Sequence, residues 1–69
     1  MPYATPPTPD QIEKDFFAGR HVRYVPIHAE NNASHPDCEN GVVTSTRGMG
    51  VFVRFKGSTS ERCSYDQLI

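Results

Sequence analysis

The chain has no tryptophan, only two cysteines, and no apolar stretch approaching the roughly 18 residues of a membrane-spanning helix. It has no excess of charge either: seven Lys and Arg stand against eight Asp and Glu, a formal net charge of −1. Each shortage excludes something. With 36% hydrophobic residues, no tryptophan and six interrupting prolines, the core has to be assembled from a few short segments. The near-neutral balance rules out a global field drawing the chain to nucleic acid or to a membrane surface. The opening residues lack the charged start and apolar run of a secretory leader. A cytoplasmic protein is therefore expected, with its cysteines reduced or metal-bound rather than bridged. Gly48 and Gly50 are followed by neither Lys-Ser nor Lys-Thr, so there is no phosphate-cradling loop. Asn32-Ala33-Ser34 matches a glycosylation sequon, which in a cytoplasmic protein is chance.

At 69 residues the chain makes one domain that buries only about 60% of its unfolded surface, so its core is marginal. Chains of this size often add a staple: a metal, a disulfide or a partner. Residues 1–7 are proline-rich and aperiodic, which predicts a disordered arm. A short helix is predicted over 8–19: Thr8 caps it, Pro9 suits the first helical position, Asp10 the positive end of the dipole, and Gly19 a stop. Ile12 and Phe16 recur at helical spacing, so the helix has to dock them on its own domain or on a partner.

From Arg20 the period becomes two, and residues 20–69 read as a small β domain. Strands are predicted over 21–28, with Pro26 marking an edge or bulge, over 41–46, over 51–56 and over 61–65. Turns are predicted at Arg47–Gly50 and Gly57–Ser60. Val43, Val51, Val53 and Phe55 are the predicted core, with Tyr24 largely buried, while Phe52, Arg54 and Lys56 share the opposite face. Short antiparallel strands and one long early loop predict a mostly β fold, an SH3-like antiparallel β-barrel preceded by the short helix.

The chemistry is concentrated between His28 and Cys38. His28, His35 and Cys38, with Cys63 from the last strand, form the nitrogen and sulfur set that tetrahedral Zn²⁺ accepts. A structural zinc is the leading reading. Two unlinked thiols beside surface histidines, or a Cys38–Cys63 disulfide, are the alternatives. A catalytic use of Cys38 with His35 or His28, oriented by Asp37 or Glu39, is disfavoured because so small a barrel leaves little room for a substrate pocket. His21 reads as a solvated strand residue.

The run Val22-Arg23-Tyr24-Val25-Pro26, then His28, Ser34-His35-Pro36-Asp37-Cys38-Glu39, Gly41-Val42-Val43-Thr44-Ser45, Val51-Phe52-Val53-Arg54-Phe55 and finally Cys63, Asp66 and Leu68 resembles a family of small proteins encoded by tailed bacteriophages and prophages. The resemblance covers residues 20–69 and includes His28, His35, Cys38 and Cys63. It implies a phage or prophage origin and life in the cytoplasm of a bacterial host, and it supplies no activity.

Function then reduces to a binding module that is not an enzyme. Between Gly41 and Arg62 the basic residues Arg47, Arg54, Lys56 and Arg62 face one acid, Glu61, while Glu30, Asp37 and Glu39 cluster in the loop. Protein–protein interaction with a host or phage protein, through the 30–39 loop and the face of Phe52, Arg54 and Lys56, is the first expectation. Single-stranded nucleic acid is the alternative, because an aromatic among cations is what it requires.

Overall fold

In a computed structural model, residues 4–57 and 59–69 are described. The predicted arm lies outside them at positions 1–3, as does Ser58 of the predicted turn. Positions 4–7 form neither helix nor strand, and Pro7 is buried.

The first element, α1, spans Pro9–Asp15. Thr8 and Gln11 close a capping box: the Gln11 amide donates to Thr8 Oγ1 at 3.3 Å, and the Thr8 amide donates to Gln11 Oε1 at 2.9 Å. The i, i+4 spacing of Ile12 and Phe16 puts both on one side of the helix, and both are sealed in the main core at 0% and 2% exposure. The helix therefore docks on its own sheet. Beyond it, Gly19 at φ +94° turns the chain, and the Gly19 amide donates to the Val43 carbonyl at 2.8 Å. Arg20 lies over the Phe16 ring, 4.8 Å from its centroid.

Four strands follow: β1 His21–Tyr24, β2 Glu39–Arg47, β3 Gly50–Phe55 and β4 Ser60–Ser64. They form one antiparallel sheet in the order β1-β2-β3-β4. The register pairs His21 with Val42, Val43 with Val53, and Val51 with Cys63. A bulge at Thr44 shifts the β2–β3 register; the Thr44 hydroxyl meets the Phe52 carbonyl at 3.2 Å and Ser60 Oγ at 2.8 Å. Arg47 and Gly50 close the β2–β3 hairpin around Gly48, which takes the positive φ that suits the first position of a tight hairpin turn. The main core gathers Ile12, Phe16, Val22, Val43, Val51, Val53, Cys63 and Leu68. No helix among the described residues is long and apolar enough to cross a membrane.

Three expectations need correction. The first strand stops at Tyr24 rather than running to His28, because Pro26 has no amide to extend a ladder, and Ile27–Ala29 form a 3-10 turn instead. Phe55, expected in the core, and Tyr24, expected to be largely buried, are both half-buried, because each is the last residue of its strand and packs at the margin of the main core; their rings meet edge-on at 6.0 Å. The sheet, finally, is not closed. In place of a β4–β1 ladder, a 3-10 turn at Tyr65–Gln67 carries the chain back to β1. There Arg23 and Ile69 exchange backbone hydrogen bonds of 2.8 and 3.0 Å, and the Val25 amide donates to the Gln67 carbonyl at 2.7 Å.

Candidate functional site

Two features carry chemistry, and Arg23 of β1 takes part in both. The loop between β1 and β2 is a succession of tight turns. Backbone amides of Ala29, Asn32, His35 and Cys38 each donate to the carbonyl three residues earlier, at 2.9–3.0 Å. Arg23 reaches across from β1, its Nε donating to the Ala33 carbonyl at 2.6 Å and its guanidinium to Asn40 Oδ1 at 2.8 Å. Val25, Ala29 and Cys38 form a small second core beneath the loop. Glu30 and Asn31 both take left-handed backbone angles, φ +50° and +63°, a conformation that costs a non-glycine residue energy and is held here by the surrounding turns.

This framework presents His28, His35 and Asp37 together. His28 Nε2 lies 2.6 Å from Asp37 Oδ2, the two imidazole rings stand edge-to-face at 5.4 Å, and the Asp37 amide donates to His35 Nδ1 at 3.0 Å. One potential ligand atom from each residue lies within 4.8 Å of the others. His28 and Asp37 are open to solvent, and His35 is partly so.

The sequence-predicted set His28, His35, Cys38 and Cys63 is thus assembled only in its histidines. The Cys38 thiol is buried in the second core and donates to the Asn32 carbonyl at 3.4 Å. The Cys63 thiol is buried in the main core and faces the Glu61 carbonyl at 3.7 Å. Both cysteines are free. The alternation of β4 explains the split, because Cys63 takes the inward position opposite Val51. Burial, and secondarily the charge of Glu61, raises the Cys63 thiol above its ordinary pKa. Asp37 takes the third place in the cluster; its signal was its position two residues after His35.

The second feature is an open groove of about 670 Å³ over the β1–β2–β3 register. Arg23, Arg54 and Lys56 supply its cations, with the His21 imidazole beside them, and Val42, Phe55 and Ile69 much of its apolar lining; among the described residues no carboxylate side chain lines it. Two of the three side chains predicted to meet a partner, Arg54 and Lys56, are therefore in the groove, exposed and without a salt bridge among the described residues. The third, Phe52, is half-buried outside it, opposite Ser45 and Arg62. His21 and Arg23 escaped the sequence reading because only the β1–β2 register sets them beside Val42 and Asn40. No family model, curated protein or solved structure matches this chain.

Proposed function

We infer that this chain is a small non-enzymatic module that binds an acidic segment of a protein partner in the groove of Arg23, Arg54 and Lys56. The observation that carries this reading is a lining that combines cations with apolar side chains and has no Asp or Glu side chain among the described residues. A chain with an overall charge of −1 has concentrated cations there, and cations beside an apolar floor complement a peptide of mixed acidic and apolar residues. Arg23 is held by two hydrogen bonds, so part of the ordering cost of binding is met before the partner arrives. The resemblance to phage and prophage proteins supports a phage or bacterial host protein, met in the cytoplasm, as the partner in this reading. An SH3-like layout is the finer form of the fold in this reading, supported by the four-strand meander and by the 3-10 turn that brings Ile69 back to Arg23.

Single-stranded nucleic acid is the second reading, favoured by Phe52 lying opposite Arg62 and two residues from Arg54 on β3. Successive bases need successive aromatic platforms, whereas the aromatic lining the groove, Phe55, is half-buried and engaged by Tyr24.

Fluorescence anisotropy with two probes separates the readings: a labelled peptide alternating Glu with Leu, and a labelled oligothymidylate. The peptide is expected to bind the wild type and to lose binding in Arg54→Glu/Lys56→Glu. Tighter binding of the oligonucleotide, weakening steeply with salt and lost in the same variant, overturns the protein reading in favour of nucleic acid. Failure of both probes to bind removes the groove as the site.

A further inference from the structure

We propose that His28, His35 and Asp37 form a site for one divalent transition-metal ion of the zinc class, carried wholly by the loop between β1 and β2 and independent of both cysteines. The argument begins with donor chemistry. Two imidazoles and a carboxylate suit Zn²⁺ and its borderline neighbours, whereas Mg²⁺ and Ca²⁺ favour oxygen-only shells.

Distance comes next. Zinc bonds to nitrogen and oxygen are about 2.0–2.2 Å, so neighbouring ligand atoms in a tetrahedron sit about 3.3–3.5 Å apart. The ligand atoms here lie within 4.8 Å of one another, and the His28–Asp37 pair stands at 2.6 Å. The His28–Asp37 pair has to open by somewhat under an ångström, and no pair has to close by more than roughly 1.5 Å, which side-chain torsions supply without moving the backbone.

The backbone is already fixed. Asn32, His35 and Cys38 donate to successive carbonyls, Arg23 clamps the Ala33 carbonyl, and the Cys38 thiol is tied to the Asn32 carbonyl. The loop is thus ordered before the ion arrives, as a preorganised site requires. Cys38 serves as an anchor beneath the loop and not as a ligand.

Three protein ligands leave the fourth tetrahedral position open, and the exposure of the His28 and Asp37 side chains, 62% and 58%, lets water occupy it. The ion would replace the His28–Asp37 contact and also the bond from the Asp37 amide to His35 Nδ1, because a metal-bound neutral imidazole carries its proton on the other nitrogen. It needs neutral imidazoles, so its affinity falls towards acid pH. All three ligands belong to one loop, so the ion fastens that loop to itself and does not tie β4 to it.

Full-length protein stripped with a chelator and then dialysed free of it is titrated with Zn²⁺ by calorimetry and with Co²⁺ by visible absorption, with circular dichroism verifying the fold of every sample. One Zn²⁺ per chain is expected. His28→Ala and His35→Ala should each weaken binding by at least about the 10–100-fold that loss of even an outer-shell partner costs. Asp37→Asn should also weaken it, and Cys63→Ser should bind like the wild type. The cobalt spectrum should lack a thiolate-to-cobalt charge-transfer band, which tests Cys38 without a core substitution. Absence of binding by folded wild type, binding that survives both histidine substitutions, or a charge-transfer band overturns the proposal.

Discussion

Replacing Gly41 with alanine tests a close approach of β2 to β3. A Cβ at this position would stand 2.5 Å from Val53 Cγ1, 2.9 Å from Phe55 Cδ1 and 3.1 Å from the Arg54 carbonyl oxygen. Carbon atoms in ordinary contact are about 3.5–4.0 Å apart, so the Val53 methyl has to retreat by roughly 1 Å. It has little room to do so, because Val53 is fully buried and shares the main core with Val43 and Val51. Overpacking of this kind costs about 1–3 kcal/mol. A domain of this length has a total of only about 3–10 kcal/mol. Each kcal/mol lowers the Tm by about 4–8 °C at this size, so a fall of at least several degrees is expected in thermal denaturation followed by circular dichroism. Two comparisons isolate the cause. Gly50→Ala should cost less, because what its Cβ would meet is the Arg62 guanidinium, the far end of a flexible side chain. In Gly41→Ala/Val53→Ala the main clash is gone, so the double variant should be less destabilised than the sum of the single ones, by a coupling of about 0.5–3 kcal/mol. An unchanged Tm in Gly41→Ala, or strict additivity in the double variant, would refute this account of the sheet.

Thr8→Ala removes the oxygen that accepts the Gln11 amide and should cost about 1 kcal/mol, read as a lower denaturant midpoint; no change would mean that the capping box contributes nothing to holding α1 on the sheet. The Cys63 thiol is raised above 9.0 by burial and then by Glu61, so the unfolded chain releases that proton first as pH climbs. Its contribution to stability is present below pH 9.0 and is lost as pH rises through the raised folded value. Denaturant midpoints measured on both sides of pH 9 should therefore fall more steeply in the wild type than in Cys63→Ala, and parallel profiles would contradict the assignment.

What the sequence disclosed were features with a local cause. Thr8-Pro9 with Gln11 starts a helix through contacts spanning three residues, and the alternation of Val51, Phe52, Val53 and Arg54 sorts inside from outside one residue at a time. The histidines of the loop were legible as candidate ligands for the same reason, since residue type alone states what an imidazole can accept. Cys63 was not. Its thiol chemistry pointed to zinc, but its place opposite Val51 turns it into the core, and only the register reveals that. Arg23 and His21 were missed in the groove for the same reason: their neighbours Asn40 and Val42 lie across a strand pairing that a linear reading does not fix. The unclosed sheet depends on where the last residues land, a choice made by Pro26 ending β1 and by the 3-10 turn after β4.

The return of the chain to β1 gives the protein an unequal order of assembly. β2, β3 and β4 are joined by short turns and can pair soon after the chain collapses, whereas Arg23 and Ile69 must find each other across most of the sequence. Contacts of such separation carry the largest loop-closure cost and form late. By the same token they are expected to be among the first to let go, freeing the segment from Tyr65 to Ile69 while the β1-β2-β3-β4 pairings persist. Ile69 also lines the groove, so each opening dismantles one wall of it. A partner that touches Ile69 can bind fully only while the segment from Tyr65 to Ile69 is in place, and once bound it holds that segment against β1. Affinity and the lifetime of the closed form are two readings of one equilibrium.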